Sequence, residues 1–239
     1  MQVVERQRNY LRNPLPPGDG ICAVCRSNAG NGFEVCYQCG QHRSASGGLQ
    51  ADIVAPIAYS VKGSQHDHSL IAYKAMHRSN AAVQNLSSLT VLYLAYHWDC
   101  FSTALGGPFT HIATVPSTRG RQGEHPLETF VAKRLNLPAL RAVSNSAYSA
   151  DDRSFHADRF YLPGGSVAGG RVLLLDDTWT TGGRVQSLAF ALRAAGAVAV
   201  AAVVIGRRVN PDFGPSKPLV DRLRTAPEFD LSRCALDDE

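Results

Sequence analysis

Apolar and polar residues follow one another along this chain in blocks whose lengths are typical of buried strands and amphipathic helices. Short apolar runs predict strands at residues 53–59, 111–116, 172–175 and 198–205. Helical spacing predicts helices beginning near residue 68, over 83–98, over about 127–135 and over about 186–195, with the last of them stopping at Gly196. Between residues 53 and 205, strands therefore alternate with helices.

Length and composition are those of a globular protein with a main domain and small additions. The chain has 239 residues, 44% of them hydrophobic, and a formal net charge of +4, which is too small to imply nucleic-acid binding by itself. Residues 1–20, with several prolines and glycines, predict an irregular or mobile arm. The main domain is expected over 50–210, and residues 211–239, with their prolines, predict a loop-rich segment.

Nothing in the chain predicts secretion or insertion into a membrane. The first residues lack the apolar core of a signal peptide. The longest apolar run, 195–205, contains Gly196 and is too short to span a bilayer. We therefore expect a cytoplasmic protein without a membrane partner.

Four clustered cysteines form two Cys-x-x-Cys knuckles in a module over residues 21–43. Cys22 and Cys25 make the first knuckle, and Cys36 and Cys39 make the second. Thiolates at this spacing can collect a tetrahedral zinc ion, which would be structural because all its coordination positions would be filled. Disulfides or a redox pair are the alternative, although the clustering fits a reducing compartment better.

Other metal-ligating residue types are assigned simpler roles. His66, His68 and His77 are expected on a polar loop and a solvated helix face rather than at a metal. Cys100 and Cys234 are expected to be buried or idle thiols, with a contact between Cys234 and the cysteine module as the alternative.

A turn rich in threonine and glycine follows the predicted strand at 172–175. The run is Asp176, Asp177, Thr178, Trp179, Thr180, Thr181, Gly182 and Gly183. This run suits a phosphate. The threonines offer hydroxyls, the glycines let the backbone approach closely, and the amides at the start of the next helix favour an anion. The adjacent acids would repel a phosphate, so they suit sugar hydroxyls or a metal-bound sugar. Trp179 is expected to pack beneath the loop or to face an acceptor substrate. An ordinary strand-to-helix turn is the alternative for the whole run.

Two further polar segments could bind pyrophosphate. Ser117 and Arg119 lie in a basic, glycine-bearing loop after the predicted strand at 111–116, and such a loop can bind pyrophosphate through amides and guanidinium groups. A solvated basic turn is the alternative. The charged segment over 148–160 carries Arg153 and Arg159, which could clamp pyrophosphate, and His156, which could act on a proton. Surface loops are also commonly charged without such a role.

The run from Leu173 to Gly183 resembles the 5-phosphoribosyl 1-pyrophosphate (PRPP) motif of type I phosphoribosyltransferases. Together with the cysteine knuckles, residues 21 to 207 are similar to the ComF family, which is linked to DNA uptake in competent bacteria. The resemblance implies a type I phosphoribosyltransferase fold, with a mainly parallel sheet flanked by helices and a small amino-terminal zinc-binding module. It implies that Asp176 and Asp177 hold the ribose hydroxyls, that residues 178–183 wrap the 5-phosphate, and that residues 148–160 form a flexible loop.

The implied activity is a magnesium-dependent transfer of phosphoribose from PRPP to an unidentified nitrogen acceptor, with release of pyrophosphate. A hood over residues 52–75 and the carboxyl-terminal loops would form the acceptor pocket. One alternative is a regulator that senses PRPP or a nucleotide without catalysis. The other is an interaction protein of DNA uptake or repair, with DNA or competence and repair proteins as partners. A homodimer is an expected assembly.

Overall fold

The structure is a computed structural model that describes residues 2–75, 77–117, 124–164 and 166–236. Its strands are β1 (Ile53–Val61), β2 (His111–Thr114), β3 (Ala139–Leu140), β4 (Val143–Ser144), β5 (Phe160–Tyr161), β6 (Arg171–Trp179) and β7 (Ala199–Val209). Its α-helices are α1 (Gln2–Glu5), α2 (Tyr37–Ala45), α3 (Gln65–Lys74), α4 (Asn80–Ala104), α5 (Pro126–Phe130), α6 (Gly183–Ala194) and α7 (Lys217–Thr225). Short 3-10 helices lie at Ala132–Arg134 and Gly214–Ser216.

The core is a parallel sheet of five strands in the order β1-β7-β6-β2-β3. Helices flank it, so the expected α/β architecture is confirmed. Strands β4 and β5 form a separate antiparallel pair, and the charged segment predicted as a flexible loop connects them. None of the helices in the described part of the chain is long and apolar enough to cross a membrane.

Alternating residues of β6 face the two sides of the sheet, as the pleat of a strand requires. Leu173 and Leu175 belong to the apolar cluster that packs α3, α4 and α5. Val172 and Leu174 belong to the opposite cluster, which packs α6 and also contains the cysteines of the amino-terminal module. Since both faces of β6 are covered, the strand reads as a continuous apolar run.

The helix boundaries differ from those that the periodicity predicts, and a cap explains the start of α3. Helix α3 begins at Gln65, because the Ser64 hydroxyl accepts a hydrogen bond from the Asp67 amide. Helix α4 runs on to Ala104, well past the predicted end near residue 98. The helix predicted over about 127–135 is instead the short α5 followed by a 3-10 turn.

The expectation that His66 lies on a solvated surface is wrong. His66 is fully buried in the first turn of α3. Burial lowers the pKa of this imidazole to about 4, so the ring is neutral at pH 7.

The terminal segments are attached to the core. Leu11 of the amino-terminal arm is buried, and the amide of Tyr59 donates a hydrogen bond to the Arg12 carbonyl. The side chain of Asn13 exchanges hydrogen bonds with the backbone of Asp230. The carboxyl-terminal segment is also more ordered than expected, because it contains α7, whose Leu219 and Leu223 are buried.

The strand order creates a crevice between β2 and β6. From β2 the chain proceeds through α5 to β3 on one side, whereas from β6 it proceeds through α6 to β7 on the other. Helices α5 and α6 contribute to the clusters on opposite faces of the sheet. In open α/β sheets, ligands bind at the carboxyl ends of the strands at such a point of reversal. Both polar loops singled out in the sequence begin there.

Gly206 in β7 allows α3 to pack closely on the sheet. A Cβ atom at this position would lie 2.4 Å from Leu70 Cδ1 and 3.2 Å from Ser60 Cβ. Because Leu70 is buried on α3, the missing side chain sets how near that helix comes to the sheet.

We predict that Gly206→Ala lowers the free energy of unfolding by about 1–3 kcal/mol, since the added methyl group overpacks the contact between α3 and β7. Urea denaturation followed by circular dichroism measures the change. Gly214→Ala is the matched control, because a Cβ atom there meets nothing within 4 Å. Equal stability of the two variants would contradict the packing argument.

Candidate functional site

A cavity of about 380 Å³ opens at the carboxyl ends of β2 and β6. Most of the residues singled out from the sequence line it, namely Ser117, Arg153, Asp176, Asp177, Thr178, Thr180, Thr181, Gly182 and Gly183. Residues from α3 and from the turn before α5 complete the walls. The fold therefore brings together loops that lie far apart in the sequence.

The turn after β6 folds tightly over a buried indole. Gly182 adopts a φ of 86° and is the N-cap residue of α6. Trp179 is only 1% exposed and lies under the turn, where a Cβ atom on Gly182 would come within 2.1 Å of the indole. Of the two positions expected for Trp179, the structure shows the one beneath the loop. Only glycine fits at 182, on grounds of both backbone angle and space.

The charged segment between β4 and β5 lies against the start of α6. A Cβ atom on Gly183 would come within 2.2 Å of the Arg153 carbonyl oxygen. The Thr181 hydroxyl donates to that same carbonyl at 2.7 Å, and the His156 amide donates to the Ser187 hydroxyl at 2.9 Å. The segment therefore covers the amino terminus of α6, where helix amides favour an anion.

The two acids occupy different environments although they are adjacent. Asp177 is 6% exposed, and its Oδ1 lies 2.7 Å from the Lys74 ammonium. Burial alone would raise the pKa of Asp177, but Lys74 and His125 hold it well below its usual range. Burial and the negative charge of Asp177 instead raise the pKa of Asp176. Asp177 is therefore the more readily ionised member of the pair, and Asp176 is the member that takes up a proton more readily.

Lys74 connects the acid pair with the phosphate-type turn. Its ammonium donates to the Thr178 hydroxyl at 2.8 Å while pairing with Asp177. In the sequence, Lys74 lies in the helix predicted to begin near residue 68, and a lysine on a polar helix face gives no sign of its partner. A positive charge here reduces the repulsion that the acids would otherwise exert on a phosphate.

His125 is a second cavity residue that lies outside the motifs recognised in the sequence. It caps α5, with Nδ1 accepting a hydrogen bond from the Leu127 amide at 3.2 Å. This contact leaves the proton of the neutral ring on Nε2, which lies 3.7 Å from the Asp177 carboxylate. Arg208, at the end of β7, also lines the cavity and pairs with the buried Asp67. Neither residue belongs to a recognisable motif.

The predicted clamp arginines are placed differently. Arg153 is exposed and lines the cavity. Arg159 is only 1% exposed and does not line it, because its guanidinium donates to the carbonyls of Ser149, Asp152 and Ser154. Arg159 therefore holds the segment together instead of facing a ligand. Arg119 lies outside the described residues, as does the rest of the stretch 118–123.

The four cysteines of the amino-terminal module lie together as the spacing predicts. Their sulfur atoms are all within 4.8 Å of one another, and all four residues are buried. The Cys25 and Cys36 sulfurs are 3.6 Å apart, close to the value of about 3.8 Å between tetrahedral thiolates around zinc. The cluster could therefore hold a zinc ion. Cys234 is not part of it, since its metal-ligating neighbours in the described structure are His97 and Cys100.

Arg207 joins the cysteine cluster to the turn after β6. This side chain is 5% exposed, and its Nε donates to the Cys25 carbonyl at 2.9 Å. Its Nη1 donates to the carbonyls of Trp179 and Thr180, each at 3.2 Å, and its Nη2 lies 3.7 Å from the Cys25 sulfur. One buried guanidinium thus contacts both candidate sites.

No protein-family model and no curated protein matches the chain. Among solved structures, the chain is similar to adenine phosphoribosyltransferase from Leishmania donovani, with 14% sequence identity and a TM-score of 0.37. The match covers 66% of this chain and 75% of that chain. A similarity of this size does not establish a family, so inference about function depends on the residues of the site itself.

Proposed function

We propose that this protein binds PRPP and acts as a phosphoribosyltransferase of the ComF type, transferring phosphoribose to a nitrogen acceptor with release of pyrophosphate. The supporting observation is the cavity at the ends of β2 and β6, where two adjacent acids lead directly into a threonine- and glycine-rich helix start. This arrangement offers one set of groups for a diol and another for a phosphate.

The turn and the acid pair divide the ligand between them. Residues 178–183 would bind the 5-phosphate through hydroxyls and the first amides of α6. Asp176 and Asp177 would accept hydrogen bonds from the ribose hydroxyls and stabilise the sugar as its ring becomes cation-like. Lys74, which contacts both Asp177 and Thr178, would reduce the electrostatic repulsion between the acid pair and the bound 5-phosphate.

The other end of PRPP would face the loop after β2. Ser117 lines the cavity there, and it is assigned to pyrophosphate together with Arg119. Arg153 reaches the same cavity from the charged segment, where a guanidinium would take up charge on the departing pyrophosphate. Closure of that segment would exclude water, which would otherwise hydrolyse the activated sugar.

The acid pair also fits magnesium. Mg²⁺ is commonly held by one or two carboxylates together with substrate phosphates, and Asp176 and Asp177 supply such oxygens beside the proposed PRPP site. When bound with PRPP, magnesium would neutralise charge that develops on the leaving group.

The acceptor would approach from the side of α3. Ile71, Lys74 and Ala75 line the cavity, and Ile71 is 50% exposed. These three residues lie at the end of the stretch 52–75 that is proposed as the hood. No residue of the carboxyl-terminal stretch 211–236 lines the cavity, so the expected contribution of the carboxyl-terminal loops is not seen.

We predict that Asp177→Asn weakens magnesium-dependent PRPP binding about 10- to 100-fold, because it removes a charged acceptor worth roughly 1.5–3 kcal/mol. Isothermal titration calorimetry measures the affinity. Asp221→Asn, at a surface ion pair on α7, is the matched control and should bind normally. Unchanged affinity in a folded Asp177→Asn variant would refute the role assigned to this carboxylate.

A turnover assay distinguishes a phosphoribosyltransferase from a protein that binds PRPP without catalysis. Pyrophosphate release in the presence of PRPP, magnesium and a panel of nitrogen nucleophiles is expected for at least one acceptor. Saturable PRPP binding without release for any acceptor would favour the sensing alternative. Absence of PRPP binding would refute the proposed function.

PRPP affinity should also depend on pH through Asp176. Because its pKa is raised to about 7, Asp176 is increasingly protonated below neutrality, and a proton must leave before the carboxylate binds the cation or accepts from the diol. We predict that affinity rises up to about tenfold per pH unit below this pKa and levels off above it. Asp176→Asn should lose this dependence and keep only that of PRPP itself. A pH profile shared by both proteins would count against the assignment.

We propose a structural zinc ion for the four cysteines of the amino-terminal module. Four buried thiolates carry more negative charge than a divalent ion balances, and the nearby guanidinium of Arg207 offsets part of the excess. Because the cysteines belong to the same apolar cluster as α6, the ion would also support the core face beneath the phosphate-type turn.

We predict that Cys36→Ser loses about one equivalent of zinc per chain and has a lower Tm than the wild type. Plasma mass spectrometry and a thermal melt under reducing conditions measure both properties. Ser44→Ala, at an exposed position of α2, should retain the metal and the Tm. Equal zinc content in the two variants would show that Cys36 is not a ligand.

A further inference from the structure

Three metal-ligating side chains converge away from the cysteine module and the cavity. His97 and Cys100 lie on α4, and Cys234 comes from the carboxyl-terminal segment. Their ligand atoms all lie within 4.8 Å of one another. His97 and Cys234 are buried, whereas Cys100 is exposed, so the group sits at the surface with one side open.

One ring nitrogen of His97 makes the kind of hydrogen bond that metal-binding histidines make. Its Nε2 lies 2.8 Å from the Leu231 carbonyl oxygen, which can only accept a hydrogen bond. In the neutral ring this contact fixes the proton on Nε2 and leaves the lone pair of Nδ1 available. Metal-ligating histidines commonly donate their second ring nitrogen to a backbone carbonyl in this way. Tyr93 packs on the same ring, with centroids 4.5 Å apart.

Backbone contacts before and after Cys234 in the sequence anchor the segment that carries it. The Leu231 carbonyl binds His97, and the Ala235 amide donates to the Tyr93 hydroxyl at 3.2 Å. The Ala235 carbonyl in turn accepts a hydrogen bond from Arg26 at 2.6 Å. Cys234 lies between these anchors, which hold its backbone against α4.

On the helix, His97 and Cys100 are three residues apart and therefore share one face. With Cys234 they make a donor set of two sulfurs and one nitrogen. Soft thiolates with an imidazole select zinc and similar thiophilic ions over magnesium or calcium.

The geometry points to a second zinc-class metal site formed by His97, Cys100 and Cys234. The three protein ligands leave one coordination position, which solvent can fill beside the exposed Cys100. Binding releases the two thiol protons and draws the sulfurs to about 3.8 Å from one another. The site is independent of the proposed transferase function. A bound ion would link the carboxyl-terminal segment to α4.

Zinc content provides the first test of this site. Full-length protein loaded with zinc and freed of excess metal should contain about two equivalents per chain, one in the cysteine module and one here. Cys100→Ser should lose about one equivalent, and Thr103→Ala, at an exposed position one turn further along α4, should lose none. Cys100→Ser with the zinc content of the wild type would overturn the proposal.

Thiol protection tests the same site without a variant. Cys100 in wild-type protein should react with N-ethylmaleimide about tenfold more slowly when zinc is present, as read by peptide mass spectrometry. In Cys234→Ser, zinc should no longer protect Cys100. Equal labelling of the wild type with and without zinc would overturn the proposal, as would a Cys100–Cys234 disulfide recovered from protein prepared with reductant and zinc.

Discussion

The buried guanidinium of Arg207 is the interaction on which the arrangement of the two candidate sites depends. A cation inside a protein is tolerated only when hydrogen bonds and opposite charge replace its hydration. Burial alone would lower the pKa of Arg207, but Cys25 and its neighbours raise it. The same group holds the backbone of Trp179 and Thr180. The cysteine module and the turn after β6 therefore share one structural element, and the order of the module bears directly on the shape of the proposed phosphate site.

Charge balance within the cavity depends on a second cation, the ammonium group of Lys74 on α3. Lys74 reaches Asp177 and Thr178 only because α3 lies close to the sheet, which the absence of a side chain at Gly206 permits. The acid pair consequently splits into one strongly ionised carboxylate and one that titrates near neutrality. Two equivalent, unpaired acids beside a phosphate site would repel the ligand they are proposed to bind.

Packing determines which residues of the charged segment remain available to a ligand. Arg159 satisfies carbonyls within the segment, and the Arg153 side chain is left at the cavity. The segment also contacts the glycines that open α6. A closing element that rests on the phosphate-type turn can respond to the ligand there, since the bound anion and the segment would compete for the Thr181 hydroxyl.

Features that depend on neighbouring residues in the chain could be predicted from the sequence. The strand-turn-helix at 172–195 and the paired cysteine knuckles are local patterns, and the structure places their members together. The roles in PRPP binding given to Asp176, Asp177 and the threonines remain predictions. Element ends were less predictable, because α3 depends on the cap at Ser64 and α4 continues past the predicted end near residue 98 to Ala104.

The contacts between side chains that are distant in the sequence could be read only from the three-dimensional fold. Lys74, His125 and Arg207 have no motif of their own, and each acquires its partner through the strand order and the close packing of α3. The same holds for His66, which burial makes neutral, and for Cys234, which lies against α4 instead of the cysteine module. Periodicity reports which face of an element is apolar. The partner of a polar group is set by three-dimensional packing, because residues far apart in the chain must satisfy one another's charges and hydrogen bonds once water is excluded.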